Sequence, residues 1–433
     1  MENIYKIPRE VSLGGENGIR KIYLGKNHPL TIQTMWKDGI TDVTEDSPKL
    51  ESILREINNL KSLGCDIVRF AVPDMESAHG LCVIQKHTDV PLVADIHFDY
   101  KLALECLKGT VPVIRINPGN IGRIDRVRAV VDECRKKNAL IRIGVNTGSL
   151  PKDLEALVEC GKISRAQALA QTAIREAEVF EDLGFSNYVV SMKASSVDET
   201  IEANEAFARV SDVPLHIGVT EAGTENMGVI KSAAGIGGLL LRGIGNTIRI
   251  SLTDDPVKEV EAGIKLLRAI DLRRGGIKFV SCPTCGRTRI DLIGLVNKVD
   301  EALKDCQKPI TVAVMGCVVN GPGEAREADI GIAGGNFTVM MAGYMAVTFL
   351  LSNLIPSPVA VFTIMAPLMS ASCESFNISP SKVIFALGLV SVGTAGVLPI
   401  GGGAATFATQ NGYLESYGYT DGLCPYGTAF EFD

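Results

Sequence analysis

The chain has 433 residues, 46% of them hydrophobic and 21% charged, with a net charge of −7 at neutral pH. That length allows two or three domains, and the acidic balance gives no support to nucleic-acid binding. Eleven cysteines are scattered rather than framed at short intervals, which fits a reducing cytosol better than a disulfide scaffold. The opening MENIYKIPREV is charged from its second residue and does not read as a signal peptide, so a cytoplasmic location is expected.

From the N-terminus to about residue 275, short apolar runs alternate with amphipathic helical stretches. The runs are LTIQTM (30–35), DIVRFAV (66–72), PLVADI (91–96), PVIRIN (112–117), LIRIGVN (140–146), NYVVSMK (187–193), PLHIGV (214–219) and NTIRIS (246–251). Each is mostly β-branched or aliphatic, as strands buried on both faces require. SPKLESILREINNLKSLG (47–64) and VDETIEANEAFARVS (197–211) carry apolar residues at helical spacing. Eight alternations in this span predict an α/β fold with a (β/α)8 TIM-type barrel over 1–275. A doubly wound sheet is the competing reading, but no G-x-G-x-x-G follows an early strand.

Barrel chemistry sits at the carboxyl ends of the strands. Those ends carry Arg69, Asp95 and His97, Arg115 and Asn117, Arg142 and Asn146, Lys193 and Ser195, Thr220 and Glu221, and Arg249 and Ser251. Arginine in a central strand is costly unless it faces a polar mouth. One such residue can pair with a neighbouring carboxylate, but five cations on one rim read as a site for a phosphate or diphosphate. His97 and His216 are each read as structural, hydrogen-bonding histidines, with His97 the better candidate for the mouth. Cys65, Cys82, Cys106, Cys134, Cys160 and Cys306 read as small buried hydrophobes.

Residues 276–335 look like a small α/β domain. GIKFVS runs as a strand into Cys282, RIDLIGLVNKVDEALKD is an amphipathic helix, PITVAVMG is a strand running into Cys317, and ADIGIA is a third strand. Cys282, Cys285 and Cys317, with Glu324 seven positions on, make a donor set of three thiolates and a carboxylate. That set suits a zinc site or a [4Fe–4S] cluster with one unusual iron; a redox-active disulfide would leave Cys317 unexplained.

QTMWKDGITDV, VADIHFDY, IRINPGNIG, IRIGVNTGSL, KASSVDETI, GVTEAGTENMGVIKSA, SCPTC and GCVVNGPGEA together resemble the 4-hydroxy-3-methylbut-2-en-1-yl diphosphate synthase family, over residues about 10–335. The resemblance implies an iron–sulfur oxidoreductase of the methylerythritol phosphate isoprenoid route. Its substrate would be 2-C-methyl-D-erythritol 2,4-cyclodiphosphate, which two electrons open and dehydroxylate to 4-hydroxy-3-methylbut-2-enyl diphosphate. It further implies a [4Fe–4S] cluster on Cys282, Cys285, Cys317 and Glu324, and a diphosphate pocket of Arg69, Arg115, Arg142, Asn146, Lys193 and Ser251. Glu221 would be the acid/base, flavodoxin or ferredoxin the electron donor, and the enzyme a homodimer in which one subunit's cluster caps the other's barrel.

The averages conceal a break, because no charged residue occurs from Ile330 to Cys373. Residues 336–433 read as a hydrophobic helical, membrane-like tail that loosely resembles an anion-permease-type transporter fragment. The tail contains two apolar arms broken at SNLIPSP, and then VIFALGLVSVGTAGVLPI (383–400), about the length of a membrane span. The expectations are a membrane anchor, a permease module, or a segment joined by fusion or assembly error with no enzymatic role. The cluster domain is expected to be truncated where the tail begins. The competing function is a membrane-associated permease fragment fused to an inactive enzyme portion.

Overall fold

This computed structural model describes residues 4–375, apart from 286–287, 289–290, 304–305, 307, 317–324, 334–336 and 356. The chain divides into two compact units, Met1–Arg273 and Arg274–Asp433. The first opens with a hairpin of β1 (Val11–Leu13) and β2 (Ile22–Leu24). Eight parallel strands follow: β3 (Thr31–Met35), β4 (Ile67–Ala71), β5 (Leu92–Asp95), β6 (Val113–Ile116), β7 (Leu140–Asn146), β8 (Tyr188–Lys193), β9 (His216–Ile217) and β10 (Thr247–Ile248). They pair in the order β8-β7-β6-β5-β4-β3-β10-β9, and a bridge from Val190 to Leu215 brings the two ends together. The nearly closed barrel is of TIM type, and the eight strands fall on the eight apolar runs. β9 and β10 are shorter than their runs.

Helices fill every crossover. They are α1 (Pro48–Leu63), α2 (Met75–Lys86), α3 (Tyr100–Lys108), α4 (Pro118–Ile121), α5 (Ile124–Lys136), α6 (Lys152–Glu159), α7 (Arg165–Asp182) and α8 (Val197–Val210). After β9 come α9 (Glu225–Ser232) and α10 (Gly238–Leu240), joined by a π-helical turn, and after β10 comes α11 (Pro256–Ala269). The local logic is plain in α1. The Ser47 side chain accepts from the Leu50 N–H, Pro48 occupies the first turn, and Leu50, Ile53, Ile57 and Leu60 bury one stripe. Gly64 ends the helix at φ 105°, where a side chain would be strained.

The barrel interior is layered. Ile67, Val93, Val113, Leu140 and Val189 form an apolar bottom layer packed against Val11, Leu13, Ile22 and Leu24 of the hairpin. The hairpin thus plugs the amino-terminal end, and the polar side chains lie above it toward the carboxyl ends.

The second unit is built on a parallel three-stranded sheet of β11 (Lys278–Ser281), β12 (Thr311–Met315) and β13 (Ile330–Ala333), with α12 (Leu292–Leu303) in the first crossover. Two further helices follow, α13 (Phe337–Leu354) and α14 (Pro358–Ser375). They correct the membrane-like expectation for the tail as far as the described residues reach. None of those residues forms a helix long and apolar enough to cross a membrane. Instead Tyr344, Val361, Met365, Leu368, Met369 and Cys373 share one apolar core with Leu292, Leu295, Val299, Val312 and Val314. The run 383–400 lies outside the described residues.

Candidate functional site

The mouth of the barrel holds a cavity of about 250 Å³. Its walls bring together Arg69, Arg115, Arg142, Asn146, Lys193, Glu221 and Ser251, all named from the sequence, with Asp95, His97, Thr220 and Arg249 beside them. His97 lines the cavity and is exposed, whereas His216 is buried at 1% exposure, its Nδ1 3.3 Å from the Thr247 hydroxyl.

Two buried carboxylates position part of the cation ring. Asp95 accepts from Arg115 Nη1 at 3.0 Å and lies 3.6 Å from Arg69 Nε. Burial pushes the Asp95 carboxyl up, but Arg69 and Arg115 more than offset this and hold it below its usual value. Glu259, on α11, accepts from Arg249 Nε and Nη2 at 3.2 and 3.1 Å, from Lys37 at 2.7 Å and from the Thr34 hydroxyl at 2.8 Å. Glu259 was not anticipated. The available signal was a carboxylate on the buried stripe of an amphipathic helix, beside Val260, Ala262 and Gly263.

The other cations carry less compensation. Among the described residues, no carboxylate lies within ion-pair distance of Arg142 or Lys193, although both are almost fully buried. Burial, reinforced by the neighbouring cations, lowers the Lys193 ammonium well below its ordinary value and does the same to Arg142. Arg69 is lowered to about 10, again chiefly by burial. A positive surplus held this way out of water is unfavourable alone and is relieved by a multiply charged anion.

Two glycines, one on β7 and one just past β9, make the crowding possible. A Cβ on Gly144 of β7 would fall within 3 Å of the Arg115 guanidinium, and one on Gly218 would stand 2.9 Å from Lys193 Nζ. Both lie in quoted apolar runs, where nothing marks them as making room for a neighbouring strand's cation.

In the second unit, β11 ends directly at Cys282, which is half-buried and whose N–H donates to Val314 O at 3.1 Å. Thr284 turns the chain at φ 66°, and the N–H of the exposed Cys285 donates to the Thr288 hydroxyl at 3.2 Å. β12, the parallel neighbour of β11, ends at Met315, so the carboxyl end of the sheet releases both cysteine-bearing segments. Cys317 and Glu324 lie outside the described residues, and among those described no group of three metal-ligating side chains occurs. A CxxC on a tight turn at a strand end fits a soft metal or an iron–sulfur cluster.

Barrel and mouth define a (β/α)8 protein with a ring of cations at the carboxyl ends of its strands. Comparison with known proteins narrows this further. The GcpE TIM-barrel domain matches residues 16–264, and the GcpE protein C-terminal domain matches residues 278–351. A protein of Clostridium perfringens is 50% identical over 330 residues, covering 76% of this chain and 90% of its own length. One of Treponema denticola is 45% identical over 363 residues (80% and 92%), and one of Caldanaerobacter subterraneus 47% over 336 (78% and 90%). All three are named 4-hydroxy-3-methylbut-2-en-1-yl diphosphate synthase (flavodoxin). The chain belongs to the GcpE family. The C-terminal match runs through residue 351, into α13, and so passes the expected end of the resemblance near Gly335.

Proposed function

We infer that this chain is an oxidoreductase of isoprenoid precursor synthesis. It opens the ring of 2-C-methyl-D-erythritol 2,4-cyclodiphosphate and removes a hydroxyl as water, giving 4-hydroxy-3-methylbut-2-enyl diphosphate, with flavodoxin as electron donor. The observation that carries this reading is the under-compensated cation ring in a chain about half identical to synthases of that name. A permease fragment with a passenger enzyme is not favoured, because such a passenger has no need of a charged mouth.

Arg69, Arg115, Arg142 and Lys193 bind the diphosphate, Asn146 and Ser251 fix its orientation at the rim, and Asp95 holds two of the arginines in place. Glu221, exposed at the rim with φ 51°, donates the proton that leaves with the hydroxyl. Cys282, Cys285, Cys317 and Glu324 hold a [4Fe–4S] cluster, which supplies the two electrons singly when bound. Ferredoxin as a second donor and a homodimeric state belong to the same proposal.

Anaerobic purification with iron and sulfide analysis tests the cofactor. About four irons per chain, lost in Cys317→Ala, are expected. Stoichiometric zinc in their place would sink the cluster. Glu221→Gln is expected to lower kcat by at least about a hundredfold with KM little changed, and an unchanged kcat would remove Glu221 from the mechanism.

A further inference from the structure

Beneath the cation ring lies a second set of donors. Arg69 Nε, Arg142 Nη2, Gln33 Nε2 and His216 Nε2 are buried and, among the described residues, have no hydrogen-bond acceptor. Gln33 and His216 are each only 1% exposed. Their orientations are constrained. Arg142 Nη1 donates to Gln33 Oε1, which leaves the amide nitrogen of Gln33 as the free end. Burial, followed by the nearby Lys193, holds His216 neutral, so only one ring nitrogen carries a proton. If the Thr247 hydroxyl donates to Nδ1, that proton is on Nε2. The two residues sit at one level of the barrel, since Thr247 of β10 pairs with His216 on one side and with Thr31, two residues before Gln33, on the other.

An acceptor for these donors has few sources. Asp95 is engaged by Arg69 and Arg115, and Glu259 by Arg249, Lys37 and Thr34. Below lies the apolar layer closed by the hairpin. Among the described residues, the mouth side remains open. We propose that Gln33 and His216 form the floor of the anion site, donating through Nε2 to the deepest phosphoryl oxygens of the cyclodiphosphate. The inference rests on the functional reading above and extends it to two residues that neither line the cavity wall nor carry charge.

The test titrates inorganic diphosphate into the full-length protein calorimetrically, alongside KM for the cyclodiphosphate. Gln33→Met and His216→Phe keep bulk and remove the donor. Each is expected to weaken diphosphate binding at least about tenfold and to raise KM in step. Gln33→Glu guards against misfolding, because its carboxylate still accepts from Arg142. It is expected to melt no lower than the parent and to gain no thermal stability from diphosphate. Unchanged diphosphate affinity in folded Gln33→Met and His216→Phe overturns the proposal. So does a parent chain that does not bind diphosphate, or a diphosphate-induced stabilisation of Gln33→Glu equal to the parent's. A parent that binds diphosphate through this floor yet does not turn over the cyclodiphosphate would instead overturn the functional reading alone.

Discussion

At the scale of the residue, the site depends on side chains that hold cations and on positions that lack side chains. Gly144→Ala places a methyl against the Arg115 guanidinium. The collision should cost about 1–3 kcal/mol, read as a lower melting temperature, and raise KM for the cyclodiphosphate about tenfold; an unchanged KM would mean that Arg115 has slack. Lys193 gives a pH signature. Its value is depressed by burial, so ligand-free stability rises with pH across the window between the depressed and ordinary values, where the unfolded chain binds more protons. Anion affinity moves the other way, complete below the depressed value and falling as pH rises through it. Diphosphate titration should therefore show an alkaline limb beginning well below 10.5 that Lys193→Met abolishes. The cations were legible in the sequence because charge inside an apolar strand is conspicuous. Gly144, Gln33 and Glu259 were not, since their roles exist only through side chains on other elements.

Among the elements, the eight barrel strands and two of the barrel helices, α1 and α8, follow from run length and periodicity, and all eight runs form strands. The β1–β2 hairpin escaped notice because strands of three residues carry no measurable alternation. Its function is to close the barrel floor, so Leu13→Ala should cost about 2–5 kcal/mol of stability while leaving KM at the parent value. A raised KM would show that the plug reaches the anion site. α13 was misread for a physical reason. Its polar residues hydrogen-bond to their own backbone, Thr348 to Tyr344 O at 2.7 Å, Ser352 to Thr348 O at 2.7 Å and Asn353 to Phe349 O at 2.8 Å. All three are thereby buried, and the polar face that marks a soluble helix disappears. The described structure predicts a sided response. Met369→Glu, at 0% exposure, should destabilise the second unit by more than about 3 kcal/mol, whereas Val359→Glu, at 73%, should be near neutral. Equal damage from both, in urea melts monitored by circular dichroism, would favour a lipid-facing helix.

For the whole molecule, the sequence located the barrel and its mouth, and it marked residue 335 as a boundary. The boundary marks a change of composition within a unit, because α13 and α14 join the core that α12 and β12 begin. The proposed reaction needs both kinds of unit, a polyanion site in the first and a thiolate-held cluster in the second. It is tested most directly by incubating the anaerobically reconstituted full-length protein with reduced flavodoxin and 2-C-methyl-D-erythritol 2,4-cyclodiphosphate. Multiple turnovers to 4-hydroxy-3-methylbut-2-enyl diphosphate are expected, abolished in Cys282→Ala and in Arg142→Met. A chain carrying its full complement of iron and binding the cyclodiphosphate, yet forming no product with reduced flavodoxin, would contradict it.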